Sequence, residues 1–178
     1  KSDISILCYN TKKKNIKYDA TKKLYQQTKY ITEIDYIITP ELFYKNLFPN
    51  ELEHGNLSKY FDNYFELNPD TTFIIGAEIL NSSKIKFNGI VVVSKGLVLF
   101  RTKKKYVPFR EYTLPIFREF YPSYYMKNKN DNQEEIRIHN NILPLVCYES
   151  IFSSFVAKNI KNTRAIFLLT SESFMNNS

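Results

Sequence analysis

The stretch "KIKFNGIVVVSKGLVLFRTKK" (84–104) constrains the fold more than any other. Two β-rich runs flank Lys95-Gly96, and the spacing predicts two strands around a tight turn. "TTFIIGAEIL" (71–80), just before it, reads as a further strand. "ISILCYN" (4–10) is a short β-rich run, and "DYIITPE" (35–41) is a buried strand closed by Pro40, which ends a ladder and stiffens the exit. Between them "YDATKKLYQQTKYITEI" (18–34) carries Leu24, Tyr25, Ile31 and Ile34, and predicts an amphipathic helix starting at Asp19 or Thr21. Residues 42–70 read as loop and short helix. "YVPFREYTLPIFREFYPSYY" (106–125) is a structured excursion, and "NKNDNQEE" (128–135) a polar turn. "IRIH" and "ILPLVCYE" then read as strands, "SIFSSFVAKNI" as a helix and "AIFLLT" as a strand. The order β-α-β-α-β-β-β-loop-β-β-α-β predicts one α/β domain with a mixed sheet.

The totals bound the function. A chain of 178 residues that is 43% hydrophobic can bury a core, and 24% charged residues argue against wholesale disorder. The surplus of +7 attracts anions. Its charges are dispersed, however, apart from "TKKKNIK" (11–17) and "RTKKK" (101–105), and no basic face interleaves with stacking aromatics, so nucleic acid is not expected as a partner. Heavy use of Lys, Asn, Ile and Tyr beside only 4 Gly and no Trp fits an AT-rich genome. Cys8 and Cys147 make no disulfide framework, and with only His54 and His139 the chain lacks the spacing of a Cys/His zinc site. No apolar segment approaches the roughly 20 residues of a membrane helix. There is no signal-peptide pattern and no initiating Met, and the chain reads as a piece of something longer.

Three places look chemical. In "ITPE", Glu41 lies just past a buried strand, either facing a cleft or standing as a solvated loop charge. In "KKKYVPFREY", a lysine before a Val-Pro-Phe turn can aim its ammonium at developing negative charge. Composition alone does not choose among Lys103, Lys104 and Lys105; alternation puts Lys103 and Lys105 on one face and Lys104 on the other. In "LPLVCYES", Cys147 sits between a strand and a helix. It is either a small buried hydrophobe or a nucleophile whose thiol the helix dipole shifts toward thiolate.

The order Glu…Lys…Cys, each at a strand end, resembles the nitrilase (carbon-nitrogen hydrolase) superfamily, and the local motifs resemble its apolipoprotein N-acyltransferase branch. The family's Trp-Pro-Glu is met by Thr39-Pro40-Glu41. Its Tyr-x-Lys-x-x-Leu-Val-Pro-Phe-Gly-Glu is met by "RTKKKYVPFRE", which selects Lys103 and places a second glutamate at Glu111. Its Ile-Cys-Tyr-Glu-x-x-Phe is met by "VCYESIF" at Cys147, Tyr148 and Glu149. The chain departs from the pattern at Thr39 for Trp, Tyr106 for Leu and Arg110 for Gly. In "SESFMN" (171–176), Glu172 stands for the usual aspartate.

The resemblance implies a nitrilase-like αββα sandwich with mixed β-sheets, spanning residues 1–178 and truncated at its C-terminal end, with no transmembrane segment of its own. It implies Glu41 as general base, Lys103 as oxyanion stabiliser and Cys147 as nucleophile, with Glu111 and Glu149 orienting Lys103, or Glu149 as a strand-end charge bonded to backbone, and Tyr148 packing or bonding locally. No cofactor or metal is implied. The implied donor is a phospholipid and the implied acceptor the diacylglyceryl-cysteine amine of an apolipoprotein, at the bacterial inner membrane with this domain on the periplasmic side. Phe117, Phe120, Tyr121, Tyr124 and Tyr125 suit a membrane-touching arm or lid, or else pack onto the domain's own core. A soluble nitrilase-type amidase acting on a small C–N substrate, and a degenerate non-catalytic domain, are the alternative readings.

Overall fold

The computed structural model describes residues 4–8, 20–53, 55–108, 111, 113, 116, 138 and 141–171. The arm candidates Phe117, Phe120, Tyr121, Tyr124 and Tyr125 lie outside these residues, as do Arg110, residues 172–176, His54, His139 and the helix start at Asp19.

The chain runs β1 (Ile6–Cys8), α1 (Ala20–Thr28), β2 (Tyr36–Ile38), β3 (Tyr44–Leu47), α2 (Pro49–Glu53), α3 (Asn56–Leu67), β4 (Thr72–Leu80), β5 (Lys86–Ser94), β6 (Leu97–Thr102), β7 (Ile142–Val146), a 3-10 turn (Cys147–Ile151), α4 (Ser153–Asn159) and β8 (Ala165–Leu169). The hairpin is β5–β6, joined at Gly96, whose φ of 72° suits a residue without Cβ. The helix α1 is shorter than its pattern suggested, and Ile31 and Ile34 lie beyond its end. The segment 42–70, read as loop and short helix, contains β3 and the 12-residue α3. Alternation hides β3 because its two middle residues, Lys45 and Asn46, are polar and its pairing with β4 is irregular, with Asn46 at φ 56°. Of "IRIH", Ile138 alone is described, and it forms an isolated bridge to Ile142.

The sheets are mixed. Six strands form one sheet in the order β1-β2-β4-β5-β6, with β3 also pairing with β4. The strands β1, β2 and β4 are parallel, while β4–β5 and β5–β6 are antiparallel. A second sheet pairs β7 with β8 in parallel, with α4 in the crossover.

Both faces of the large sheet are covered. On one face Leu24, Leu52, Phe61, Tyr64 and Phe65 from the helices pack on Ile37, Phe73, Ile75, Val91 and Val93. The 61/64/65 spacing puts three rings on one stripe of α3, and Phe73 meets them edge-on at centroid distances of 5.1, 5.0 and 5.8 Å. Each such ring contributes ~1.5–3 kcal/mol by leaving water. On the other face Tyr36, Ile38, Ile74, Ile90 and Val92 meet Ile142, Val146, Phe167 and Leu169 of the second sheet. By alternation Gly76, Asn88, Arg101 and the position after Thr102 share this second face. The seam between the sheets therefore turns polar as it leaves the apolar cluster.

Candidate active site

Glu41 sits in a break between two strands that pair with the same neighbour. Thr39 still donates its N–H to Ile74 O at 3.0 Å, and its hydroxyl accepts from Gly76 N–H at 3.1 Å. Pro40 has no N–H to continue the ladder. Glu41 turns its own N–H to Thr170 O (3.3 Å) at the end of β8, and Leu42 at φ 56° returns the chain to β4 as β3. This excursion crosses Gly76 so closely that a Cβ there would stand 2.2 Å from Pro40 O and 2.6 Å from Glu41 Cα. Glu41 is 2% exposed. It is a buried carboxylate, not a solvated loop charge.

Lys103 is the lysine the fold buries; Lys104 and Lys105 are half-buried. Its N–H donates to Asn88 O at 2.7 Å, extending the β5–β6 register one residue past β6. Its Nζ donates to Oε1 of Glu41 (2.8 Å) and to Oε1 and Oε2 of Glu111 (2.8 and 2.9 Å). Glu111 is held in turn by Val107 N–H at 2.8 Å, across the turn that follows the lysines. The Nζ of Lys105 lies 5.2 Å from the Phe152 ring centroid, in cation–π range.

Cys147 directly follows β7 and takes φ 41°, a conformation that costs an ordinary side chain ~1–3 kcal/mol and persists only when its surroundings impose it. It opens the 3-10 turn, with Ser150 Oγ donating to its carbonyl at 2.9 Å. Tyr148 packs edge-on to Phe152 at 5.1 Å.

Two expectations are corrected. Glu149 makes no bond to the Lys103 side chain. It is fully buried and pairs with Arg101, whose Nη1 and Nη2 donate to its two oxygens at 2.8 Å each. The thiol is also not shifted toward thiolate by a helix. The turn behind it is short, and burial pushes the Cys147 pKa up, with the Glu41 carboxylate adding to the rise and Lys103 opposing it.

Lys103 experiences opposed effects. Burial alone would lower its pKa, but Glu41 and Glu111 outweigh burial and hold it above the ordinary lysine value. Asn88, fully buried, links both carboxylates: its Nδ2 donates to Oε1 of Glu41 and to Oε1 of Glu111, each at 2.8 Å. That leaves Oε2 of Glu41 buried without a hydrogen-bond partner. The Glu41 carboxylate acts on the Cys147 thiol by charge and helps to raise its pKa. Glu41 and Lys103 are thus in direct contact, and both act on the Cys147 thiol by charge. Sequence reasoning missed Asn88 and Arg101. The available signal was a polar residue at an inward position of an otherwise apolar strand. A groove of about 400 Å³ between α3 and the hairpin, lined by Phe61, Asp62, Ser94 and Leu97 among others, shares no residue with this cluster.

Solved structures share this architecture. A glutamine-dependent NAD+ synthetase from Acinetobacter baumannii matches at TM-score 0.54 and 19% identity, over 86% of this chain and 29% of that one. An N-terminal amidase solved with an Asn-Glu-Ala peptide matches at 0.55 and 15%, over 94% and 48%. A nitrilase-superfamily amidase from Nesterenkonia AN1, in a Cys-to-Ser mutant form, matches at 0.51 and 12%, over 89% and 61%. The fold is nitrilase-like. No protein-family model and no curated protein matches the sequence. The chain spans less than two thirds of the length of each of these nitrilase-like structures. Among its described residues no helix is long and apolar enough to cross a membrane.

Proposed function

We propose that this chain is the catalytic part of a Cys-dependent acyltransferase of the apolipoprotein N-acyltransferase type. It moves a fatty acyl group from phospholipid to the N-terminal amine of a diacylglyceryl-cysteine through a thioester on Cys147. The observation that carries the reading is the buried Glu41–Lys103–Glu111 cluster acting on the thiol of a positive-φ cysteine. Oε2 of Glu41 takes the thiol proton as sulfur attacks the acyl carbonyl. Lys103, with a backbone N–H after the cysteine, stabilises the tetrahedral oxyanion; one such donor is worth ~3 kcal/mol. Glu41 returns the proton to the departing alcohol oxygen. It then accepts one from the attacking amine as the thioester C–S bond breaks and the amide forms. The phospholipid and lipoprotein choice rests on the Val-Pro-Phe-x-Glu and Cys-Tyr-Glu motifs. It carries the inner-membrane, periplasmic-side location with it.

A second reading is favoured by the amidases among the similar folds: the same three groups open a small amide, releasing ammonia, and water takes the acyl group. Mass spectrometry of the full-length protein after incubation with phospholipid vesicles separates the two. An acyl adduct on Cys147 that is absent in Cys147→Ala supports the transferase. An unmodified, folded protein that releases ammonia from short amides sinks it in favour of the amidase.

A further inference from the structure

Arg101 and Glu149 stand outside the set that would handle the proton, yet they tie that set together. Both are fully buried, at 1% and 0% exposed. Besides its two bonds from Arg101, Glu149 accepts a backbone N–H on each oxygen: Lys104 N–H to Oε1 at 2.6 Å and Val146 N–H to Oε2 at 2.9 Å. Lys104 follows Lys103, and Val146 precedes Cys147. One carboxylate therefore grips the backbone beside the lysine and beside the cysteine, across the seam between the two sheets. Arg101 adds a bond from Nη2 to Pro144 O in β7 at 2.9 Å. A planar guanidinium can span both carboxylate oxygens and that carbonyl; an ammonium is a single point and cannot.

We propose that Arg101 and Glu149 are positioning residues that set the Cys147 thiol against Glu41 and Lys103 and hold the positive-φ turn in place. The proposal rests on the reading of Glu41, Lys103 and Cys147 as the reacting set, but not on the identity of the acyl donor. Its test reads the thiol directly. In a Cys8→Ser background of the full chain, iodoacetamide alkylation of Cys147 is followed against pH, with and without Glu41→Gln. The parent responds to Glu41→Gln by a fall in the alkylation inflection. Arg101→Lys keeps the charge but not the bridge, and Arg101→Met/Glu149→Leu fills the space without either charge. In each of these that folds by circular dichroism, the response to Glu41→Gln shrinks by about half or more, because residues that no longer meet no longer couple. A folded variant with the parent's full response overturns the proposal. So does failure of both variants to fold, which makes the pair a requirement of the fold alone. Acylation of Cys147 by phospholipid with an undiminished response sinks this inference only. A diminished response without acylation sinks only the donor.

Discussion

Nδ2 of Asn88 donates to Oε1 of Glu41 at 2.8 Å, the same oxygen that Lys103 takes. Both fixed donors crowd one oxygen, and Oε2 keeps its lone pairs. The neutral amide also bridges Glu41 to Glu111, so the two carboxylates that share one ammonium share one amide as well, all four side chains being buried. Asn88→Asp withdraws both N–H bonds and adds a like charge. It is expected to cost ~3 kcal/mol or more at pH 8, well beyond Asn88→Ala, with the gap closing toward pH 4 as the new carboxyl protonates. Urea unfolding of the two variants at both pH values checks this; equal stabilities at pH 8 would contradict it.

Glu41→Gln removes the charge that helps to raise the thiol. The Cys147 titration, read by alkylation, is expected to move down in pH, so the thiolate fraction at any given pH rises. Turnover is expected to fall roughly 10²–10⁴-fold all the same, because the proton acceptor is gone. A titration that stays in place or moves up rules out Glu41 as the carboxylate facing the thiol.

The contact of Lys103 with Glu41 and Glu111 was legible in the sequence motifs, and the parts of Asn88 and Arg101 were not. Glu41, Lys103 and Cys147 each sit at a strand end beside a turn or proline, where a polar residue interrupts an apolar run and draws notice. Asn88 and Arg101 lie within strands. Arg101 reads as the first of a basic run, and nothing local distinguishes it from Lys104. Its buried role depends on Glu149, which is 48 residues away and belongs to the other sheet. Glu149 had the right neighbourhood and the wrong partner, since adjacency in sequence to Cys147 says nothing about which strand faces it. The strand β3 was lost because an irregular pairing erases the two-residue period.

Lys103 also predicts the alkaline limb of stability. Its folded pKa is raised, so its contribution is complete below the unfolded lysine value of about 10.4 and disappears as pH climbs through the folded value. Cys147, raised as well, acts in the same direction from about pH 8.5. Lys103→Met leaves two buried carboxylates without their cation and is expected to cost ~3–5 kcal/mol at neutral pH. That deficit should narrow above about pH 10.4, where the unfolded parent's lysine loses its proton while the folded one still holds it. Denaturant midpoints from pH 7 to 11 test the sign, and a deficit that grows with pH would reverse it.

Gly76→Ala places a methyl 2.2 Å from Pro40 O. The backbone of Pro40 and Glu41 must shift, at a cost of ~1–3 kcal/mol, and the Cys147 titration shifts with it. Gly96→Ala, by contrast, meets open space, and its cost of ~1–2 kcal/mol comes from its positive φ alone. Thermal melts beside the alkylation profile distinguish the two. Equal effects on the thiol would break the link between Gly76 and Glu41.

Gly89 repeats the pattern of Gly76 beneath the other strand end: a Cβ there would stand 2.3 Å from Arg101 O. Two of the chain's four glycines thus lie under backbone that carries Glu41 and Arg101. Every missense change of a glycine codon introduces a Cβ. Random mutation can therefore disable this protein at two positions that bear no functional group, with every residue of the reacting set still in the sequence. A scan for an intact Glu-Lys-Cys set would count such a variant as sound, whereas one that also asked for glycine at 76 and 89 would not.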